Sequence, residues 1–198
     1  MAWKSWDHLC LPKSLGGLGF RSSKKFNDAL LAKLTWMVLS KRDSSCMKAL
    51  RSKYKVRDDW MHATPIKNAS QTWKAIERLK GVIAKGACFL VGDGAVIDIW
   101  KDPWVPWLPN FVPQPKEESN MVSFVVSCLI DQNTRTWNSN ILEQLFNEES
   151  VAAIKQIIIP LMPRPNRLVW IPDSKGIFSV KAVFKTCQVQ IDVVNTGI

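Results

Sequence analysis

The sequence predicts a mixed α+β fold with a helical N-terminal part, a central β-hairpin, a Pro-rich connector and a small C-terminal α/β piece. Three observations support this: helical periodicity up to residue 85, two runs of strand-forming residues around a Gly-Asp-Gly turn, and five prolines between residues 102 and 120. With 198 residues, 46% of them hydrophobic, the chain can bury a core of ordinary size. We expect three domains, at residues 1–101, 102–120 and 121–198.

Three helices are predicted in the first part. The longest runs from Ser23, its predicted N-cap, to Leu39 and is apolar almost all round beyond its first turn, so a neighbour or a partner must cover it. A second helix follows the capping run at 43–45 and ends near Lys55, and a third runs from Gln71 to about Lys85. The second and third helices each combine an apolar face with a basic face, which is typical of helices that pack on one side.

The positive charge of the chain is confined to its first half. Residues 1–100 contain 18 Lys and Arg against 8 Asp and Glu, whereas residues 101–198 contain 9 of each, so the first hundred residues account for the net charge of +10. Such a surplus favours non-specific attraction to RNA, DNA or an anionic surface. The alternative is that these side chains are ordinary solvated cations. The candidate nucleic-acid contacts are the cations of the two basic helix faces: Lys48, Arg51, Lys55, Lys74, Arg78 and Lys85.

The centre of the chain has the pattern of a β-hairpin. Residues 88–91 and 96–100 are rich in strand formers and flank the turn Gly92-Asp93-Gly94-Ala95. The Pro-rich stretch that follows is predicted to be a stiff, extended connector, because proline prevents regular helix and ladder pairing. Beyond it the pattern predicts an apolar segment at 121–130, helices at 139–146 and 148–157, strands at 168–171 and 177–179, and a helix that begins near residue 180.

Tryptophan is used far more often than tyrosine, with ten of the former and only Tyr54 for the latter. Buried indoles would contribute a large apolar area to a core. Exposed indoles could instead stack on unpaired bases, as aromatic side chains do in single-strand binders. The spacing of the tryptophans does not separate these two interpretations.

No arrangement of residue types predicts a catalytic or metal site. The glycines at 16–20 lack the spacing and the lysine of a phosphate-binding loop. His8 lies two positions from Cys10 but has no orienting third group, and His62 stands alone. The five cysteines are each at least 36 positions apart, which argues against a zinc site and a disulfide framework. The best candidates for a metal-binding cluster are the carboxylates of Asp93, Asp98 and Asp102. We expect no metal there, because no further acid or His accompanies them.

The chain has no apolar run near the roughly 20 residues that span a bilayer, and its first residues lack the apolar core of a signal peptide. We therefore expect an intracellular protein, in the nucleus or the cytoplasm, without a membrane partner. We also expect no cofactor.

Several short landmarks follow one another along the chain. In order they are WKSWDHLCLPK at 3–13, GGLGFR at 16–21, FNDALLAK at 26–33, SQTW at 70–73, VGDG at 91–94, WKDPW at 100–104 and WN at 137–138. Together they resemble plant non-LTR (LINE-type) retrotransposon polyproteins, in the segment that follows the reverse transcriptase. The final LVW at 168–170 and GIFSVK at 176–181 resemble the start of the reverse-transcriptase zinc-binding region of that family. The resemblance covers the chain up to about Lys185.

The resemblance implies little chemistry for this chain. The Tyr-x-Asp-Asp metal-binding turn of the polymerase is absent, since the single Asp-Asp pair, Asp58-Asp59, follows Val56-Arg57. The Cys and His ligands of the zinc-binding region follow its opening strand and helix, and Cys187 is the only candidate in this part of the sequence. The family's ribonuclease H domain also has no counterpart here, and the tail at 189–198 departs from the family pattern.

The sequence thus predicts a non-catalytic fragment of a reverse-transcriptase polyprotein, the connector to its zinc-binding and ribonuclease H region. Non-specific binding of RNA or DNA by the basic helix faces is the expected activity. The alternative is a structural or protein-interaction module that self-associates or has been retained as a host protein. An independent hydrolase or nuclease is disfavoured because the sequence shows no cluster of carboxylates or nucleophiles.

Overall fold

The computed structural model describes residues 4–20, 22–117 and 124–186, and these confirm the mixed α+β class. Within this part of the chain no helix is long and apolar enough to cross a membrane. The predicted tail at 189–198 and Cys187 lie outside the described residues. The α-helices are α1 (Trp6–Leu9), α2 (Ser23–Leu39), α3 (Ser45–Lys53), α4 (Gln71–Arg78), α5 (Lys80–Ala84), α6 (Ser139–Leu145) and α7 (Glu148–Lys155). The strands are β1 (Ala87–Leu90), β2 (Ile130–Asp131), β3 (Thr136–Trp137) and β4 (Arg167–Trp170).

Serine side chains set the starts of the three predicted N-terminal helices. The hydroxyls of Ser22, Ser44 and Ser70 accept hydrogen bonds from backbone N–H groups in the first turns of α2, α3 and α4. Each satisfies a donor that the helix itself leaves unpaired. The third helix differs from its prediction, because it is divided at Leu79 into α4 and α5.

Helix α2 is the centre of the helical part and packs on α3, α4 and α5. Its buried face consists of Ala29, Ala32, Thr35 and Val38. The Thr35 hydroxyl donates to the Ile76 carbonyl of α4 at 3.0 Å, which ties the two helices together. The prediction that a neighbour must cover this helix is therefore met on one face, while Phe26 and Leu30 remain 41% and 44% exposed.

The predicted central hairpin is wrong. Strand β1 pairs antiparallel with β4, with Ala87 opposite Trp170 and Leu90 opposite Arg167. Residues 96–100 turn away from β1 and bury Ile97 and Ile99 in a large apolar cluster, and Asp98 forms an isolated bridge to Val125. The residue types at 88–91 and 96–100 do favour strands that flank a turn. The pairing differs because residues 96–100 are buried against residues far along the chain.

The VGDG landmark at 91–94 is hydrogen-bonded to a distant segment of the chain. Asn166 accepts hydrogen bonds from the N–H groups of Gly92 and Gly94 at 2.8 and 3.0 Å, and its amide donates to Asp93 at 3.0 Å. A Cβ at Gly92 would lie 2.1 Å from the Arg164 carbonyl oxygen, so only glycine allows this close approach. These hydrogen bonds hold the loop after β1 against the chain that leads into β4.

The Pro-rich stretch, described as far as residue 117, contributes to the core and is more than an extended connector. Trp104, Val105 and Leu108 are buried in the same cluster as Ile99, and the Trp104 indole N–H donates to the Ile99 carbonyl at 3.1 Å. That cluster also includes residues from both sides of the stretch, among them Val91 and Ile154. The division of the chain into three domains stays a prediction.

The C-terminal third contains short elements that side chains cap. Asn138 and Asn147 accept N–H bonds at the starts of α6 and α7, close to the predicted positions. The predicted strand at 177–179 is wrong: these residues are irregular, and the Trp170 N–H bonds to the Gly176 carbonyl at 3.0 Å across a turn. The helix predicted from residue 180 is present over residues 180–186, and the apolar segment is described from residue 124.

Five of the ten tryptophans are buried packing groups. Trp73, Trp104 and Trp170 are fully buried, and Trp60 and Trp100 are nearly so. Because bases cannot reach a buried ring, these five residues cannot serve as exposed stacking platforms in this fold.

Candidate nucleic-acid interface

A basic cleft of about 570 Å³ lies where α2 and α3 end and a short 3-10 turn, Asp58–Met61, begins. Its apolar floor includes Val38 and Trp60. Positive φ angles at Lys41 and Lys55, of 50° and 48°, mark the points where the chain leaves the two helices. The charged residues that line the cleft are Lys41, Arg51, Lys55, Arg57 and Asp58. We call this the basic cleft.

The charges of the basic cleft are only partly neutralised. Asp58 is its single acidic residue, and the Asp58 carboxylate already pairs with the Lys41 ammonium at 2.5 Å. The guanidinium of Arg51 donates to the Arg42 carbonyl at 3.4 Å, which orients it at the C-terminal end of α2. Within the described part of the chain, Arg51, Lys55 and Arg57 have no carboxylate at ion-pair distance. Three positive charges therefore remain available to a polyanion.

An apolar pocket of about 440 Å³ adjoins the basic cleft, with which it shares Leu39 and Asp58. Its walls are formed by side chains from α5, β1, β4 and the Pro-rich stretch, which the β1–β4 pairing brings together. The apolar residues of the pocket are Leu39, Met61, Ala84, Ala87, Phe89, Pro103, Val112 and Leu168, and its polar residues are Asp58, His62, Lys85, Lys101, Asp102 and Asn110.

His62 and Asp102 meet at the edge of this pocket, with Nε2 and Oδ1 separated by 3.7 Å. The other Asp102 oxygen accepts the Asp98 N–H at 2.8 Å. Burial raises the pKa of Asp102 above its usual value, and the nearby Asp98 charge acts in the same direction. The pair joins the helical part of the chain to the start of the Pro-rich stretch.

A second cationic depression, the lysine cleft, also adjoins the apolar pocket. It has a volume of about 610 Å³ and is lined by Lys85, Lys181 and Lys185, with Asp173 as its one acidic residue. Lys181 and Lys185 are four positions apart in the helical segment 180–186 and so lie on one face of it. Lys85 lines both this cleft and the apolar pocket, so the two depressions are adjacent.

The structure divides the six predicted contacts among different environments. Arg51 and Lys55 line the basic cleft, and Lys85 lines the apolar pocket and the lysine cleft. Two others are engaged in ion pairs, Lys48 with Asp43 at 2.7 Å and Arg78 with Asp28 at 2.5 Å. Lys74 is exposed on α4 outside the three depressions. Contact of these six residues with nucleic acid stays a prediction.

Four further cations line the clefts but did not stand out in the sequence. Lys41 and Arg57 lie in loops that follow helices, where no helical periodicity marks them. Lys181 and Lys185 lie in the part of the chain with no net charge, so composition gave no reason to select them. Their role depends on long-range packing that a local pattern does not record.

Among residues 4–20, 22–117 and 124–186, no cluster of three or more His, Cys, Asp or Glu side chains could hold a metal ion. Burial raises the pKa of the Cys88 thiol to about 12, which keeps it protonated and unreactive at neutral pH. The pocket that the His62–Asp102 pair borders has no Ser, Thr or Cys side chain in its lining.

Comparison with known proteins gives two plant relatives. No family model and no solved structure matches the chain. "Putative ribonuclease H protein At1g65750" of Arabidopsis thaliana is 28% identical over 186 residues, which are 91% of this chain but 30% of that protein. "Uncharacterized mitochondrial protein AtMg00310" of Arabidopsis thaliana is 31% identical over 106 residues, 53% of this chain and 69% of that protein. The chain therefore belongs to the family of AtMg00310, and its relatives are plant proteins of the retroelement-derived type.

Proposed function

We propose that this chain is the non-catalytic connector between the reverse transcriptase and the zinc-binding region of a non-LTR retrotransposon polyprotein, and that it holds nucleic acid non-specifically. The order of the sequence landmarks supports the position in the polyprotein. So does the length relation, because nearly all of this chain aligns with less than a third of a much longer relative. The absence of the Tyr-x-Asp-Asp turn from the sequence supports a role without catalysis.

The observation that carries the binding proposal is the basic cleft. Arg51, Lys55 and Arg57 line one depression and have no described carboxylate to neutralise them. Phosphate groups that enter the cleft would release counterions from the nucleic acid, and this release supplies affinity without sequence preference. In the polyprotein such a surface would keep a template or target strand close to the polymerase.

The test compares two triple variants that remove the same charge. Replacing Arg51, Lys55 and Arg57 by alanine should weaken binding of a labelled single-stranded RNA by about tenfold or more at low salt, measured by fluorescence anisotropy. The slope of log K against log salt should become shallower by about 2, at about 0.7 for each lost phosphate contact. The matched control replaces Lys24, Lys116 and Lys175, which are exposed and lie outside the three depressions.

The control variant should retain most of the affinity of the unmutated chain. Equal losses in the two variants would show that only net charge matters and would remove the cleft from the proposal. Failure of the unmutated chain to bind any strand at low salt would end the proposed function altogether. Circular dichroism of both variants would verify that each remains folded.

Self-association is a second candidate function, favoured by one specific observation. Ile158, Leu161 and Met162 are 88%, 84% and 82% exposed and lie within five consecutive residues after α7. Three large apolar side chains in one exposed loop are a feature of interaction surfaces. Sedimentation velocity should then show a concentration-dependent dimer that disappears when all three are replaced by serine, whereas a monomer at every concentration would contradict this candidate.

A further inference from the structure

We infer that the ligand of this surface is a single strand, one unpaired base of which enters the apolar pocket while its flanking phosphates contact the basic cleft and the lysine cleft. This inference rests on the proposed nucleic-acid binding and specifies its substrate class. The three depressions form a continuous series, since the apolar pocket shares Leu39 and Asp58 with the basic cleft and Lys85 with the lysine cleft.

The alternation of charge along this series matches the chemistry of a single strand. A strand presents negative phosphates at regular intervals and, when it is unpaired, apolar base faces between them. The cations are distributed accordingly: Arg51, Lys55 and Arg57 line the basic cleft, Lys181 and Lys185 line the lysine cleft, and both clefts adjoin the apolar pocket. A duplex would offer the same phosphates, but its bases are stacked inside and cannot reach a recessed pocket.

The apolar pocket has the size and lining of a ligand site. Its volume of about 440 Å³ falls within the range of about 300–1,000 Å³ typical of small-molecule pockets. Its walls include Met61, Phe89 and Leu168, which would contact the faces of a base. His62 and Asn110 also line it and supply polar atoms for the edge of a base. A groove that bound only phosphates would not need these apolar walls.

Gly81 provides a way to fill the pocket without disturbing the fold. It lines the pocket from helix α5, and a Cβ added there would meet no atom within 4 Å. Its φ angle is not positive, and replacing a helical glycine favours the helix. Gly81→Leu should therefore remain folded while its side chain occupies space that a base would need. Ala152→Leu, at an exposed position of α7, is the matched control for added apolar bulk.

The experiment measures binding of three labelled ligands of equal phosphate number: a single-stranded RNA, the same backbone with abasic sites in place of nucleotides, and a duplex. The unmutated full chain should bind the base-bearing strand about 5- to 150-fold more tightly than the abasic strand, the range expected for one inserted base. Gly81→Leu should abolish this difference and leave binding of the abasic strand unchanged, whereas Ala152→Leu should retain the difference.

Other outcomes overturn the inference. Equal binding of the base-bearing and abasic strands would show that phosphates alone are recognised, and this would leave the proposed function intact. Equal or tighter binding of the duplex would show that the ligand need not be single-stranded. Equally strong competition by a polyglutamate peptide would show that any polyanion binds. Either result would overturn the inference. No binding of any of the three ligands at low salt would instead refute the proposed function itself, so the two failures are distinguishable.

Discussion

The helical region at 22–90 and the loop-rich region at 91–159 both bury large aromatic side chains, but they use the indole N–H differently. In the helical region the buried indole nitrogens of Trp60 and Trp73 have no hydrogen-bond partner among the described residues. In the loop-rich region Trp104 donates to the Ile99 carbonyl at 3.1 Å, and Trp137 donates to the Ile157 carbonyl at 2.8 Å.

This difference follows from how each region satisfies its backbone. A helix pairs its own N–H and C=O groups, so its buried side chains need only to fill space. Irregular backbone in a core has no such ladder, and its carbonyls must find side-chain donors. Arg135 shows this most fully: it is buried, and its guanidinium donates to the Gly92 carbonyl at 3.0 Å, the Pro160 carbonyl at 3.2 Å and the Gln132 amide oxygen at 3.1 Å.

The largest effect is expected when a buried polar contact is removed from each region. Arg135→Met should lower the free energy of unfolding by about 3 kcal/mol, because it leaves two carbonyls in the loop-rich region without their donor. Thr35→Val removes the bond to Ile76 in the helical region, but that carbonyl also accepts the Leu79 N–H, so the loss should be about 1 kcal/mol. Urea denaturation measures both, and equal losses would show that the two regions do not differ in this respect.

A smaller difference is expected between two buried indoles. Trp104→Phe and Trp73→Phe remove similar apolar volume from fully buried sites, but only the first removes a hydrogen bond. Trp104→Phe should therefore be the more destabilising substitution by about 1 kcal/mol. Thermal unfolding of the two variants side by side provides the measurement, and a larger loss for Trp73→Phe would reverse the comparison.

The smallest expected effect is on the pH dependence of stability. It involves Asp102 and Asp131, whose pKa values are shifted in opposite directions. Because burial raises the pKa of Asp102, its contribution to stability is greatest below the usual value of 3.8 and is lost as pH rises through its folded pKa. Hydrogen bonds from Thr134 and Asn133 lower the pKa of exposed Asp131, so its contribution is present above 3.8 and is lost as pH falls through its folded pKa.

Asp102→Asn should therefore gain stability relative to the unmutated chain as pH rises above 3.8, whereas Asp131→Asn should lose relative stability as pH rises toward 3.8 and retain that loss above it. The isosteric amide can still accept the Asp98 N–H, so the first variant retains its local geometry. Chemical denaturation over a pH series measures both slopes. Slopes of the same sign would contradict the assignment of burial at one site and hydrogen bonding at the other.

The helix starts could be predicted because their cause is local. Ser44 and Ser70 are the observed N-caps of α3 and α4, and the N-cap of α2 is Ser22, one residue before the position that the pattern indicated. A capping hydroxyl acts on an N–H three residues ahead, so the sequence carries the whole signal. The division of the third helix at Leu79 was not predictable in this way, since no breaker residue stands at that position.

The candidate site was predicted less completely than the helices. Composition placed the positive charge in the first half, and periodicity selected Arg51, Lys55 and Lys85, which do line the depressions. The same periodicity also selected Lys48 and Arg78, but these two side chains form ion pairs with Asp43 and Asp28. The spacing of a cation shows which helix face it lies on. It does not show whether an acidic side chain lies beside it in the fold.

The sequence by itself determined the helices of the N-terminal part, the location of the net charge and the absence of a Tyr-x-Asp-Asp turn, because each depends on residue type and short-range spacing alone. Only the tertiary structure decided that β1 pairs with β4, that a Pro-rich stretch supplies core residues, and that an apolar pocket adjoins two cationic clefts. These features join residues up to 129 positions apart, which is the separation of Leu39 and Leu168 in the apolar pocket. Their pairing is decided by which apolar surfaces bury each other best, and a local pattern carries no information about such distant partners.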